Sequence, residues 1–187
     1  MCPLEYQPFL SQKDYLRVEE ASREKHEYVA GRLFAMAGAS LNHNKLIKNL
    51  VKLLDDECQS SGCDLFFNDV KLKIESLHTF YYPDVLITCE SQPGDAVFIT
   101  SPCVAIEVLS KSTELTDRRE KLLAYRTIET LEQYILVNQM KVEVESYIKD
   151  AAGNWKVDSC DQSKIMVRIK EHTIQVNVSD LYRGVHI

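Results

Sequence analysis

The spacing of apolar residues changes period several times along the chain. From Ser11 to Arg23 the apolar positions Tyr15, Val18 and Ala21 predict a short helix, with Ser11 as N-cap and Asp14 in the first turn. Glu27-Tyr28-Val29 and Arg32 to Met36 flank Ala30-Gly31, which predicts a hairpin. After Gly38-Ala39-Ser40, the residues Leu46, Ile47, Leu50, Val51 and Leu54 recur at three and four positions. That period predicts a helix with one buried face, and Gly62 closes the region. From Cys63 the period drops to two. Leu65-Phe66-Phe67 and Val70 to Ile74 predict a strand or a bent pair, with Lys71 and Lys73 on one face and Val70, Leu72 and Ile74 on the other.

Two apolar runs then each carry an acid. Pro83-Asp84 leads into Val85-Leu86-Ile87, and Glu107 lies inside Cys103 to Leu109. Ser110-Lys111-Ser112-Thr113 leads into a helix predicted from about Leu115 to Ile128, with Thr113 or Thr116 as its cap. Tyr134 to Val137 and Val142 to Ile148 predict a further strand pair joined by Asn138 to Lys141. The remainder, through Trp155-Lys156-Val157 and Ile174-Gln175-Val176, is short-strand material, with a last turn at Ser179 to Tyr182. Strands and helices are thus mixed along the whole chain. No repeat, low-complexity tract or linker divides the 187 residues, so one domain over 1–187 is expected.

Composition narrows the classes. Hydrophobic residues make up 45% and charged residues 27%, the balance of a soluble globular protein. No apolar run is long enough to span a bilayer and the first residues lack a signal-peptide pattern, so a cytoplasmic place is expected. The six cysteines form no CxxC pair; Cys89 and Cys103 lie in apolar runs, and reduced, structural thiols are expected. The net charge of -6 argues mildly against a nucleic-acid partner. Lys111, Arg118, Arg119, Lys121 and Arg126 nevertheless cluster after Glu107, while Lys45, Lys48 and Lys52 read as a solvated helix face.

The two acids carry the chemistry. Burying a carboxylate is costly unless a cation, a proton or hydrogen bonds compensate. Glu107 shares its face with Ala105 and Leu109, and Asp84 with Leu86. Neighbouring strands lie roughly 4.8 Å apart, a spacing at which two carboxylates can share one hard divalent cation. Asp117, Lys121 and Tyr125 follow at four-residue intervals on one helix face, where Lys121 can address the attacking water or the phosphate. The plainer alternatives are a turn role for Asp84 after Pro83, an ion pair for Glu107, and a surface pair for Asp117 and Lys121.

Together, Pro83-Asp84, Glu107-Val108-Leu109-Ser110-x-Ser112-Thr113, Asp117-x-x-x-Lys121-x-x-x-Tyr125 and Glu132-x-Tyr134 resemble the Uma-two family of bacterial restriction-endonuclease-like proteins, within the PD-(D/E)XK nuclease superfamily. Lys25-His26-Glu27-Tyr28 with Gly31, the segment Ala37 to His43, and Asp69 extend the resemblance over about residues 12 to 150. The resemblance implies an α/β (α+β) fold, a restriction-endonuclease-like mixed sheet flanked by helices with extra hairpins, a magnesium-dependent phosphodiesterase centre, with manganese as a substitute, and pairing into homodimers. Asp84 and Glu107 would be the metal-binding acids, and Glu27 an additional acid. The superfamily lysine two residues after the glutamate is Leu109 here; Lys121 is its expected replacement, with Lys111 the competitor and Lys71 and Lys73 weaker candidates. His43, near a helix start, either assists a site or simply caps or packs.

Two functions follow as expectations. The first is an endonuclease hydrolysing DNA phosphodiesters, with RNA not separable from DNA at this stage. The second is a catalytically inactive nucleic-acid or protein binding module of the same fold, motivated by the net charge and by Leu109. The base sequence recognised, if any, has no code in the chain. Val142, Val144 and Tyr147 offer apolar hairpin faces for self-association, and serve equally well as core.

Overall fold

A computed structural model describes residues 9–158 and 163–187. The chain opens with α1 (Gln12–Ala21), where the Ser11 hydroxyl accepts the Asp14 N–H as its spacing predicts. The predicted hairpin is β1 (His26–Val29) and β2 (Arg32–Ala35); Ala30 and Gly31 both take positive φ, 48° and 84°, as a tight two-residue turn demands. The long helix α2 (Leu41–Ser60) is capped by Ser40 and buries Leu46, Ile47, Leu50 and Leu54. The region read as a strand or bent pair is two strands in different sheets, β3 (Asp64–Phe67) and β4 (Lys71–Ile74).

The strands β5 (Thr79–Tyr81), β6 (Val85–Thr88), β7 (Phe98–Ile99) and β8 (Val104–Leu109) follow. After a helical segment come β9 (Gln133–Asn138), β10 (Val144–Lys149), β11 (Trp155–Asp158), β12 (Lys164–Ile169) and β13 (His172–Asn177). Among the described residues the strands form a five-stranded sheet, β2-β1-β5-β4-β7, a six-stranded sheet, β11-β10-β9-β8-β6-β3, and a β12-β13 pair. The larger sheet is mixed, because β8 runs parallel to β9 and antiparallel to β6.

Alternation along β8 distributes its side chains over two cores. Val104, Ile106 and Val108 pack with Leu46, Leu50 and Leu54 of α2. Ala105 and Leu109 face the opposite side, with Tyr125, Tyr134 and Leu136. Glu107 belongs to this second face by period. Leu109 is 1% exposed there, so the position where the superfamily carries lysine is filled by packed core.

The helix after β8 departs from expectation. Thr116–Lys121 winds as a π-helical turn before α3 (Leu122–Tyr125). The Asp117 carbonyl in this turn accepts the Tyr134 hydroxyl at 3.1 Å. Neither Thr113 nor Thr116 caps it. Ser110 does, accepting the Thr113 N–H on its hydroxyl at 3.2 Å and the Glu114 N–H on its carbonyl at 2.9 Å.

The expectation of reduced cysteines fails for Cys63 and Cys89, which form a disulfide. The pairing Asp64↔Thr88 of β3 with β6 places these two residues opposite one another at the next position, close enough to bond. Cys58 and Cys103 are free and buried. Cys2 and Cys160 lie outside the described residues. Among the described residues no helix is long and apolar enough to cross a membrane.

Candidate active site

The strand pairing that a shared site requires is present. β6 and β8 pair antiparallel with Val85 opposite Ile106 and Leu86 opposite Ala105, so the next position sets Asp84 opposite Glu107. Asp84 lies just before β6, and its Oδ2 accepts the Val108 N–H at 2.7 Å. Glu107, inside β8, is 3% exposed.

Lys121 lies at the centre of the acids. Its Nζ is 3.0 Å from Glu27 Oε1, 3.1 Å from Glu107 Oε1 and 3.2 Å from Asp117 Oδ1. The last contact is electrostatic, since Asp117 Oδ1 makes no aligned hydrogen bond. Tyr125 donates its hydroxyl to Glu107 Oε1 at 2.8 Å. The surface-pair alternative for Asp117 and Lys121 is therefore wrong: they are 1% and 4% exposed, and all three residues of the four-residue series turn inward. The ion-pair alternative for Glu107 is right as far as it goes, and its partner is Lys121. Glu27 arrives from β1 of the other sheet, so the site joins the two.

Acids outnumber cations at this point. Burial disfavours charge on Lys121, but Glu107, Glu27 and Asp117 outweigh it and hold the ammonium well above the usual lysine range. Burial also drives the Glu107 carboxyl well above its usual range; Lys121 opposes the rise, while Asp117, Asp84 and Glu27 add to it. The two directions agree on one state: a charged lysine with more carboxylate around it than one ammonium neutralises. The excess calls for a proton or a further cation.

His43 is the residue whose role the sequence left open. It sits in the first turn of α2, with Nε2 3.3 Å from Asp84 Oδ2. Burial opposes its protonation, yet the neighbouring Asp84 carboxylate raises it above the usual histidine range. Its Nδ1 is buried without a hydrogen-bond partner. A histidine three residues after a capping serine reads as a helix-start residue, and only the fold reveals the acid beside it.

These groups floor a cleft of about 790 Å³. Its walls include Phe34, Met36, Tyr82, Ser110 and Lys111. Lys111 is exposed and makes no ion pair among the described residues. Lys71 and Lys73 do not reach the acids; Lys71 lies over the Tyr82 ring and Lys73 over the Phe80 ring, and Lys73 pairs with Glu75. Asp69 pairs with Lys25 at the rim.

Among the described residues no cluster of three or more His, Cys, Asp or Glu side chains is arranged to hold a metal ion. Two opposed carboxylates are still a hard-oxygen donor set of the kind magnesium uses, since it completes its shell with waters and substrate phosphates. The excess of buried carboxylate fits the same group.

The chain is similar to two curated proteins of Synechocystis sp. It is 35% identical to the protein named "Uncharacterized protein slr1290" over 178 residues, covering 95% of this chain and 93% of the relative. It is 36% identical to "Uncharacterized protein sll1609" over 149 residues, covering 78% of this chain and 84% of the relative. Among solved structures, "a putative nuclease belonging to DUF820" from Anabaena variabilis superposes with a TM-score of 0.72 at 13% identity, covering 95% of this chain and 99% of that one. That likeness shows a shared fold. A family model described as "Putative restriction endonuclease" matches residues 12–178, and the chain therefore belongs to the Uma2 family.

Proposed function

We propose that the protein is a metal-dependent endonuclease that hydrolyses DNA phosphodiester bonds in the cleft above Asp84 and Glu107. The observation that carries the reading is the opposition of these two acids on adjacent strands, beside a buried ammonium and an excess of carboxylate. Magnesium, or manganese in its place, would be held by Asp84 and Glu107; it supplies charge stabilisation at the phosphate and a more acidic water.

The chain's own residues do the rest. The Val108 N–H and His43 both engage Asp84 Oδ2, which fixes the carboxylate and leaves Oδ1 for a ligand. Glu27 and Asp117 keep Lys121 charged and immobile at the cleft floor, where an ammonium stabilises the negative charge that grows on the phosphate during attack. Tyr125 holds Glu107 from behind. Hydrolysis forms one bond from water oxygen to phosphorus and breaks one bridging P–O bond. The family description and the nuclease fold of the structural neighbour support this reading.

One observation favours the alternative, a binding module with the same fold. Glu107 Oε1 is already engaged by Lys121 and Tyr125, so the network is partly self-satisfied. Manganese titration by calorimetry separates the two. The nuclease reading expects stoichiometric binding by the wild type and its loss in Glu107→Gln. In chelator, the stability of Glu107→Gln should stay within about 1 kcal/mol of wild type or exceed it, because Lys121 retains two carboxylates and one surplus acid is gone. Equal manganese binding by both proteins would remove Glu107 from the site; no binding by either favours the module.

A further inference from the structure

The β1–β2 hairpin carries an apolar surface into the cleft. Phe34 is paired directly across from Glu27, the acid that touches Lys121. Cross-strand partners point to the same face with Cβ atoms about 5 Å apart, so Phe34 stands one step from the buried acids. Its neighbour Leu33 faces the other way and packs against the Tyr15, Tyr28 and Phe80 cluster. Phe34 itself is 51% exposed and lines the cleft, as does Met36, 42% exposed. A half-exposed aromatic ring at the mouth of a charged cleft is not spare core.

Charge indicates what the ring meets. Lys121 is committed to three acids. Among the described residues, Lys111 in the cleft wall and Arg32, exposed two residues before Phe34 on the same face of β2, make no ion pair, a short cationic track that serves one phosphate backbone rather than the two of a duplex. An unpaired strand presents a different surface. Its base faces are open, and an aromatic side chain stacks on any of them.

We propose that Phe34 is a stacking platform for an unpaired base next to the scissile phosphate, and that the preferred substrate is single-stranded DNA. The substrate class rests on the nuclease reading above.

The test is fluorescence anisotropy with a labelled 12-nucleotide single strand and with the duplex of the same sequence. Calcium replaces magnesium, as a hard cation that carboxylates bind. The wild type is expected to bind the single strand more tightly. Phe34→Ala should weaken single-strand binding about 5- to 150-fold and leave duplex binding unchanged, while Phe34→Trp, which keeps a ring, should retain affinity. Unchanged single-strand binding in Phe34→Ala, tighter binding of the duplex, or no single-strand binding by the wild type overturns the proposal. So does a loss of self-association in Phe34→Ala on sedimentation, since the ring is then an interface between copies of this chain. The two readings fail separately. Magnesium-dependent cleavage without any effect of Phe34→Ala sinks the platform alone. Ring-dependent binding without metal-dependent cleavage sinks the nuclease reading alone.

Discussion

Lys121 is the residue on which the site's electrostatics turn. Replacing it with Met keeps bulk and leaves Glu27, Glu107 and Asp117 facing one another without a cation. A stability loss on the order of 3–5 kcal/mol is expected, read from denaturant midpoints in chelator, since buried charges lose their partner. Cleavage should fall roughly 10²- to 10³-fold, the scale of losing one preorganised charge-stabilising group. Lys111→Met should keep wild-type stability, because its side chain is exposed; full activity in Lys121→Met with loss in Lys111→Met would reverse the assignment. Much of this was legible in the sequence. An acid inside an apolar strand has few structural excuses, and the four-residue series from Asp117 to Tyr125 names a face. What was not legible was that Lys121 is itself the ion-pair partner of Glu107. The ion pair and the proposed active site are the same residues, not alternatives. The contact of His43 with Asp84 was not legible for a related reason: Asp84 is remote in sequence, and local spacing carries no sign of it.

At the scale of elements, period and turn chemistry make the long helix and the hairpins legible, while the shortest strands leave no trace. α2 and the Ala30-Gly31 hairpin announce themselves by period and turn residues. β5 and β7 span three and two residues, too few for a period to show. The π-helical turn carries no propensity signal in the sequence. The disulfide was missed because cysteine spacing is silent about strand register. It closes a loop of 26 residues that includes β3 to β6, and so tethers the strand beside Asp84. Reducing it should cost about 2–4 kcal/mol, measurable as a lower denaturant midpoint with reductant. Burial pushes the free thiols up, Cys103 to about 11 and Cys58 to about 12. Folded values above the 9.0 of a free thiol mean that the native state holds these protons more tightly. The associated stability is full below about pH 9 and is lost as pH rises through 11 to 12. Alkylation at pH 8 followed by peptide mapping should leave Cys58 and Cys103 unmodified until denaturant is added; rapid native labelling would contradict their burial.

For the whole molecule, the family resemblance raises the expectation of a homodimer, and the fold refines where to look. Val144 and Tyr147, offered as a contact face, pack into the two sides of the larger sheet. Val142, offered with them, stays 58% exposed, and Val157 on β11 adds an exposed apolar side chain at 61%. Sedimentation at micromolar concentration should give a species of twice 21.5 kDa, and a clean monomer would rule the pairing out. Under the nuclease reading, part of the net charge of -6 sits in the cleft itself, where Glu27, Asp84, Glu107 and Asp117 would face a cation. The central claim is that Asp84 and Glu107 form a metal-dependent hydrolytic centre. It is tested most directly by incubating single-stranded, duplex and supercoiled DNA with the wild type and with Asp84→Asn, in magnesium, in manganese and in chelator. The account predicts cleavage by the wild type in metal alone and a loss of at least 10²-fold in Asp84→Asn. Equal cleavage by the two proteins, or no cleavage of any DNA form in either metal, would contradict it.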